Sequence, residues 1–200
     1  MGEGTPNAAD AAEKASYVLV MGVSGAGKST IGKALAGRIG AGFIEADDYH
    51  PAENIRLMSN GEPLSDTHRW PWLQTVAEAA RRERQRHGRP VVIACSALKR
   101  SYRDVLRQAL GPLSIVHLSG SVETIRARLE GRRGHFMPIE LLGSQLAILQ
   151  PPGADEEGGS LSIDDSEAGV LSKALRLLNA GHGGVGARGE SGMARGDLHE

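Results

Sequence analysis

The sequence is short of cysteine and of net charge, and each shortage excludes a class of protein. With Cys95 as its only cysteine, the 200-residue chain can form no intramolecular disulfide and no metal site built on paired thiolates, which is typical of a reducing cytosol. Its 23 basic and 24 acidic residues nearly cancel, so charge gives no reason to expect nucleic acid or an anionic membrane as a partner. We therefore expect small molecules as partners.

The sequence also lacks any apolar run long enough to cross a bilayer. The longest runs resemble the five residues 17–21, whereas a membrane-spanning helix needs roughly 20 apolar residues. The first residues do not show the pattern of a secretory signal peptide, in which a charged segment is followed by an apolar segment and then by small residues. We expect neither membrane insertion nor secretion, and therefore a cytoplasmic protein.

The composition predicts one folded domain with a flexible segment at each end. Residues 1–15 are small and polar, and we expect a flexible N-terminal segment. Residues 181–200 are rich in glycine and carry almost no large apolar side chains, so burial cannot repay the entropy of ordering them, and we expect a disordered tail. Residues 16–180 are long enough for one catalytic domain.

Within residues 16–180, short β-branched runs alternate with longer segments of helical period, which is the pattern of repeated βαβ units. This pattern predicts an α/β fold with a mainly parallel five-stranded sheet and helices on both faces. The predicted strands are residues 17–23, 43–47, 90–96, 114–118 and, with a weaker signal, 161–164. The predicted helices are residues 28–39, 52–59, 71–87, 102–110, 122–132, 138–149 and 167–178.

A phosphate-binding motif lies between the first predicted strand and the first predicted helix. The segment Gly22-Val23-Ser24-Gly25-Ala26-Gly27-Lys28-Ser29 fits the pattern G-x-x-x-x-G-K-[ST], and Thr30 follows it. Its glycines let successive backbone N–H groups point at phosphate oxygens, and the helix that follows adds its positive end. We expect Lys28 to reach the β- and γ-phosphates of ATP and the Ser29 hydroxyl to bind Mg²⁺; Thr30 fits the metal role less well.

The motif has two alternative interpretations. A glycine-rich turn can match the motif by chance, but its position between a strand and a helix argues against that. A P-loop GTPase or a motor ATPase is the second alternative. The sequence contains no Asn-Lys-x-Asp segment to read guanine and no Asp-x-x-Gly switch after the second predicted strand.

The second predicted strand ends in carboxylates and a histidine. Open α/β sheets bind their ligands at the carboxyl ends of the strands, so Asp47 is well placed to take the proton of an attacking hydroxyl as general base. His50 is a candidate for binding substrate hydroxyls. The alternatives are that Asp48 only caps the helix that Pro51 begins and that His50 is a solvated loop residue.

Beyond this point the motifs resemble those of one family. In order, they are Asp47-Asp-Tyr-His50-Pro51, Asn54-Ile-Arg-Leu-Met58, Gly61-Glu-Pro63-Leu-Ser-Asp66, Arg69-Trp-Pro71-Trp72-Leu73, Cys95-Ser-Ala-Leu-Lys99 with Tyr102-Arg-Asp104, Arg132-Arg-Gly-His135-Phe136, and Ser144-Gln145 before Leu149. Over residues 17–155 the chain resembles the gluconokinases, P-loop sugar-acid kinases of the thermoresistant type. It departs from their pattern at Thr67 and His68, where acidic residues are frequent, at Gln150, and beyond Asp155.

The resemblance implies a P-loop NTPase fold with a small helical lid, and ATP-dependent phosphorylation of D-gluconate to 6-phospho-D-gluconate. Kinases of this kind are commonly dimers, so a homodimer is the oligomeric state to test. Another small-molecule kinase, acting on shikimate or a nucleotide, and a nucleotide-binding regulatory protein without catalysis remain as alternatives. The intact Lys28, Ser29 and Asp47 argue against loss of catalysis.

A sugar acid needs a cation for its carboxylate, ideally a bidentate arginine, and polar partners for its hydroxyls. The candidate cations are Arg56, Arg69 and Arg103. Arg69 is favoured because Pro71 is predicted to begin the long helix and hold the arginine at its start; the alternative is a surface cation above core tryptophans. The other substrate-binding candidates are His50, Asp66, Ser96, Lys99 and His135. Cys95 has no neighbouring base and is interpreted as a small buried hydrophobe.

Four arginines form a basic helix end and loop at positions 126, 128, 132 and 133. Such a loop can close over the transferred phosphoryl group, neutralise its charge and exclude water, as the lids of small kinases do. Arg128 and Arg132 lie four residues apart on one predicted helix face, so they are the predicted catalytic arginines. The alternative is a solvated face whose cations only complement the helix dipole.

Overall fold

The protein folds around a parallel sheet of five strands, as the sequence predicts. The structure is a computed structural model that describes residues 16–131 and 141–180. The strands are β1 (Tyr17–Met21), β2 (Gly42–Glu45), β3 (Val91–Ala94), β4 (Ser114–Ser119) and β5 (Gly158–Ser162). Their order across the sheet is β2-β3-β1-β4-β5, and every neighbouring pair is parallel.

Seven α-helices connect or follow these strands in the described part of the chain. They are α1 (Lys28–Ile39), α2 (Ala52–Ser59), α3 (Asp66–His87), α4 (Arg100–Leu110), α5 (Val122–Glu130), α6 (Leu141–Ile148) and α7 (Glu167–Ala180). All seven were predicted from the sequence, most of them within two or three residues at each end. None of the described helices is long and apolar enough to span a membrane. The predicted segments 1–15 and 181–200, together with residues 132–140, lie outside the described residues.

The central strand β1 is buried on both faces and separates two apolar clusters. Leu19 packs with residues of α3 and α4 on one face, whereas Val18 and Val20 pack with residues of α1 and α7 on the other. The alternation follows from the period of two in a strand, which sends neighbouring side chains to opposite faces. The predicted arrangement of helices on both faces is confirmed.

The long helix α3 begins five residues before the predicted start at Pro71. The backbone N–H of Ser65 donates to Nδ1 of His68, 3.3 Å away, as part of a capping box that starts the helix early. Pro71 therefore lies inside α3, where its missing N–H costs the helix one hydrogen bond. As a consequence, Arg69 belongs to the first turns of the helix and does not precede it.

The last strand also starts earlier than predicted, at Gly158 and not at Leu161. Gly158 has φ of 117°, and a Cβ at this position would lie 1.9 Å from the carbonyl oxygen of Ile115. Only glycine tolerates this approach to β4. Gly158 thus allows β5 to pair with β4 from its first residue.

Candidate active site

The phosphate-binding motif forms a tight loop between β1 and α1. Its three glycines, Gly22, Gly25 and Gly27, have positive φ angles of 148°, 83° and 93°. Gly27 is also the N-cap of α1, so the loop leads directly into the positive end of that helix. This geometry suits the binding of a phosphate chain.

Lys28 and Ser29 occupy the first turn of α1, next to the end of β2. The Lys28 Nζ donates to the backbone oxygen of Val23, 3.2 Å away within the same loop. The Glu45 carboxyl group lies near Ser29 and Lys28, and burial is the main cause that raises its pKa. A hydroxyl and a carboxyl oxygen together are a donor set that fits Mg²⁺. No cluster of three histidine, cysteine or acidic residues suited to a metal occurs among the described residues.

A cavity of about 390 Å³ lies on one side of the phosphate loop. Its lining residues are Gly25, Ala26, Gly27, Thr30, Ile31, Arg128, Gly131, Ile163, Asp165, Glu167 and Val170. Its volume falls in the usual range of small-molecule pockets, roughly 300–1,000 Å³. Ile31, Ile163 and Val170 give it an apolar wall, and Asp165 and Glu167 add carboxyl groups. We call it the nucleotide-side cavity.

A second, narrower cavity of about 40 Å³ lies on the other side of the loop. We call it the acceptor-side cavity; it is lined by Ser24, Lys28, Asp47, His50, Met58, Leu64, Arg69, Trp72, Ser96, Leu98, Tyr102, Gln145 and Ile148. The cavity therefore brings together a phosphate-binding lysine and four of the predicted substrate-binding residues. It is far smaller than most ligand pockets.

Asp47 does not end β2 as predicted. The strand ends at Glu45, and Asp47 lies in a 3₁₀ turn, Ala46–Tyr49, whose first carbonyl oxygen accepts a hydrogen bond from Trp72 Nε1 at 2.9 Å. Trp72 is buried in the core. The turn that carries Asp47 is thus anchored to a rigid helix.

His50 is held in one orientation and one tautomer. Its ring stacks on Trp72 with centroids 4.1 Å apart, and its Nδ1 lies 3.3 Å from Asn54 Nδ2. Because an amide nitrogen only donates, Nδ1 is the acceptor, and the ring proton sits on Nε2, which lies 3.9 Å from Asp47 Oδ1. Burial lowers the pKa of His50 to about 4, so the ring is neutral near pH 7. The alternative of a solvated loop residue does not fit a side chain that is 4 % exposed.

Two oxygen atoms fix the orientation of the Arg69 side chain. Its Nη1 donates to the Leu64 carbonyl oxygen at 2.5 Å and to the Tyr102 hydroxyl at 3.1 Å. The Tyr102 hydroxyl in turn donates to Asp66, which also accepts both hydrogen bonds from Lys99 Nζ, at 2.8 and 2.9 Å. The bond from Lys99 lowers the pKa of Asp66, and the same contact raises the pKa of Lys99. Asp66 and Lys99 therefore adjoin the acceptor-side cavity through Tyr102 and do not line it.

Other predicted residues lie away from the acceptor-side cavity. Arg56 is exposed on α2 and pairs with Glu53, and Arg103 is buried in a bidentate ion pair with Glu156, so neither guanidinium faces the cavity.

Arg128 lines the nucleotide-side cavity, where its Nη2 donates to the Ile163 carbonyl oxygen at 2.7 Å. The predicted residues Arg132 and His135 lie outside the described residues. Cys95 is buried, which raises its thiol pKa to about 12 and fits its interpretation as a hydrophobe.

Sequence reasoning assigned no role to several residues that the structure brings to the site. Glu45 lies two residues before Asp47, at the strand end where a ligand was already expected. Gln145 belongs to a motif that carried the family resemblance, but nothing in the sequence shows what it contacts. Asn54 contacts His50 only four residues away, a spacing that the sequence shows. Tyr102 contacts Arg69 across 33 residues, and such a contact leaves no local pattern.

A second buried histidine makes a pH dependence of stability measurable. His117 on β4 is 2 % exposed, and burial lowers its pKa to about 4. Since the unfolded chain takes up the proton near pH 6.5 and the folded chain does not, this histidine stabilises the fold above pH 6.5, and its contribution is lost as the pH falls toward 4. We expect it to account for about 1–2 kcal/mol of the fall in unfolding free energy between pH 7 and pH 5.

Urea unfolding of the wild type and of His117→Asn at both pH values measures this effect. The difference in unfolding free energy between the two proteins should shrink at pH 5. Asp155 and Glu156, whose pKa values are lowered to about 2, lose their contribution only at lower pH and do not obscure the comparison. A difference that stays the same at both pH values contradicts the prediction.

Comparisons with known proteins identify relatives of this chain. The family model described as an AAA domain matches residues 18–152. A mouse (Mus musculus) protein named probable gluconokinase is 44% identical over 83% of this chain and 99% of its own length. The thermoresistant gluconokinase of Escherichia coli K12 is 42% identical over 82% of this chain and 94% of its own. A crystal structure of a gluconokinase from Sinorhizobium meliloti 1021 superposes with a TM-score of 0.74 at 45% identity, covering 84% of this chain and 93% of that one.

Proposed function

This chain belongs to the AAA domain family and to the gluconokinase family, and from that premise we propose that it transfers the γ-phosphoryl group of ATP to the terminal hydroxyl of D-gluconate, giving 6-phospho-D-gluconate and ADP. One observation carries the proposal. Lys28 of the phosphate loop lines the same cavity as Asp47, His50 and Arg69, so a phosphate-binding cation, a carboxylate and a candidate carboxylate-binding arginine converge on one space.

ATP fits the proposal with its base in the nucleotide-side cavity. The apolar side chains of Ile31, Ile163 and Val170 would contact the faces of a purine ring, and the triphosphate would follow the phosphate loop toward the acceptor-side cavity. Arg128, on the wall of this cavity, is close enough to the loop to complement phosphate charge. The beginning of α1 adds its positive end.

We propose that Ser29 holds Mg²⁺ together with phosphate oxygens, with Glu45 close by as an outer partner. The bound ion would neutralise charge on the β- and γ-phosphates. Lys28 would add a second positive charge. To reach the γ-phosphate, its Nζ exchanges the Val23 carbonyl oxygen for a phosphate oxygen.

On the acceptor side, we assign Arg69 to the gluconate carboxylate, because its guanidinium lines the cavity and its orientation is fixed by Leu64 and Tyr102. Neutral His50 would donate from Nε2 to a substrate hydroxyl, and Ser96 would contact another. Asp47 would accept the proton of the terminal hydroxyl as its oxygen attacks the γ-phosphorus and the bond to ADP breaks. The predicted contributions of Arg132 and His135 in the lid loop remain predictions.

An acceptor screen tests the proposed function. ADP release by the purified protein is followed with ATP and, in turn, D-gluconate, shikimate and AMP, with and without Mg²⁺. We expect strong activity with gluconate and not with shikimate or AMP. We expect no activity with any acceptor when Mg²⁺ is removed by chelation. Preference for shikimate or AMP would instead support a related kinase, and ADP release that does not depend on any acceptor would refute phosphorylation of a sugar acid.

A further inference from the structure

The phosphate loop is tied to a distant helix by one side chain. The backbone N–H of Ser24 donates to Oε1 of Gln145 at 2.7 Å, across 121 residues of sequence. Both residues are buried, with 6 % and 7 % of their surface exposed. A short hydrogen bond between buried groups is costly to lose, since the amide would be left without a partner.

Gln145 also lines two cavities of the site. It lies on α6 and lines the acceptor-side cavity with Lys28, Asp47 and Arg69. It also lines a smaller adjoining cavity beside Met58, Leu64 and Arg69. A single carboxamide thus contacts the phosphate loop and faces the space that we assign to the acceptor.

Ser24 occupies the half of the loop that faces the acceptor. It lines the acceptor-side cavity, whereas Gly25, Ala26 and Gly27 line the nucleotide-side cavity. The Gln145 bond therefore holds the part of the loop nearest to the point where the γ-phosphate and the acceptor would meet. The residues that face the nucleotide are held by their own turn, in which the Ala26 N–H donates to the Val23 oxygen at 3.2 Å.

We propose that Gln145 is a positioning residue that keeps the acceptor-facing half of the phosphate loop in register with the acceptor-side cavity. The inference rests on the proposed function, because register between the two cavities matters only if a phosphoryl group passes between them. Without the Gln145 bond, the Ser24 segment is free to shift, and a displacement of about 1 Å at the reacting atoms can cost on the order of 10²-fold in rate. The nucleotide-side cavity is lined by Gly25, Ala26 and Gly27 and not by Ser24, so we expect nucleotide binding to depend little on this segment.

The test compares Gln145→Met and Gln145→Asn with the control Gln150→Met. Met keeps the length of the side chain without its acceptor oxygen, and Asn keeps the carboxamide but is one methylene too short to reach Ser24. Gln150 makes the same type of bond, since its Oε1 accepts from the Arg100 N–H at 2.7 Å, but it is exposed and lines neither cavity. The measurements are kcat, the KM for ATP and for gluconate, and the melting temperature.

We expect both Gln145 variants to lose about 10- to 100-fold in kcat, to need more gluconate for half-saturation, and to keep the KM for ATP within roughly threefold of wild type. The control should match the wild type. A purely structural role would lower the melting temperature and the folded fraction while kcat per folded enzyme stays unchanged, and that result overturns the inference. So does a rise in the KM for ATP as large as the loss in kcat. If the wild type and the control fail to phosphorylate gluconate, the proposed function itself is wrong.

Discussion

Asp47→Asn should reduce kcat for gluconate phosphorylation by about 10²–10⁴-fold, the range that a well-placed general base contributes, with little change in the KM for ATP. Asparagine has nearly the same shape as aspartate but cannot take the proton of the attacking hydroxyl. The 3₁₀ turn should keep its form, because Trp72 holds it through the Ala46 carbonyl oxygen and not through the Asp47 carboxylate. Steady-state kinetics with each substrate varied in turn provides the measurement.

The matched control for this prediction is Asp48→Asn. Asp48 is the next residue of the same turn and carries the same charge, but it is exposed and lines neither cavity. Its variant should keep kcat near the wild-type value. If Asp47→Asn retains kcat within a few-fold, or if both variants lose activity equally, the carboxylate of Asp47 is not the base and the assignment must be withdrawn.

Arg103→Met is expected to destabilise the protein by about 3 kcal/mol, at the lower end of the usual cost of breaking a buried ion pair by removing one partner. Arg103 Nε and Nη2 donate to the two carboxylate oxygens of Glu156 at 2.8 and 2.6 Å, and both side chains are at most 1 % exposed. The variant leaves the Glu156 carboxylate buried with fewer donors. Arg107 Nη2, 2.9 Å from Glu156, remains as a partner and limits the loss. Urea unfolding at pH 7 measures the change.

Arg100→Met is the control, since Arg100 forms a bidentate pair with Asp155 of similar geometry, at 2.9 and 2.6 Å, but on the surface. Exposed pairs contribute little, so this variant should unfold almost as the wild type does. The Arg103 experiment also tests the sequence-based assignment of Arg103 to the substrate. A variant that is as stable as the wild type but needs far more gluconate would restore that assignment and contradict the structural role.

The arginines illustrate how far sequence reasoning reached. The sequence offered Arg56, Arg69 and Arg103 as cations for the carboxylate and favoured Arg69 because Pro71 was predicted to begin the helix. Their surroundings in the structure separate them. Arg56 faces solvent beside Glu53, and Arg103 forms an ion pair with the buried carboxylate of Glu156. Of the three arginines, only Arg69 lines the acceptor-side cavity. Glu156, the residue that decides the position of Arg103, is 53 residues away and follows the point where the family pattern fades. No local spacing connects two such residues.

Local sequence rules predicted some boundaries of helices and strands correctly and others wrongly. Helix α1 was predicted to the residue because the phosphate-loop motif defines its start and Gly40 its end. The start of α3 was placed too late because Pro71 is a strong helix-start signal, whereas the competing capping box at Ser65 uses a histidine in place of the usual glutamate or glutamine. The start of β5 was missed because Gly158 is unfavourable for a strand in isolation and becomes necessary only against β4.

The sequence alone determined the parallel α/β sheet, the phosphate loop from Gly22 to Ser29, the candidate base Asp47 and the family resemblance, because each depends on residues close together in the chain. The tertiary structure decided which residues of the loop line each of the two cavities, which of three arginines lines the acceptor-side cavity, and that Gln145 reaches the loop from a helix 121 residues away. Periodicity and motifs arise from local geometry, whereas burial and partner choice depend on how distant segments pack together.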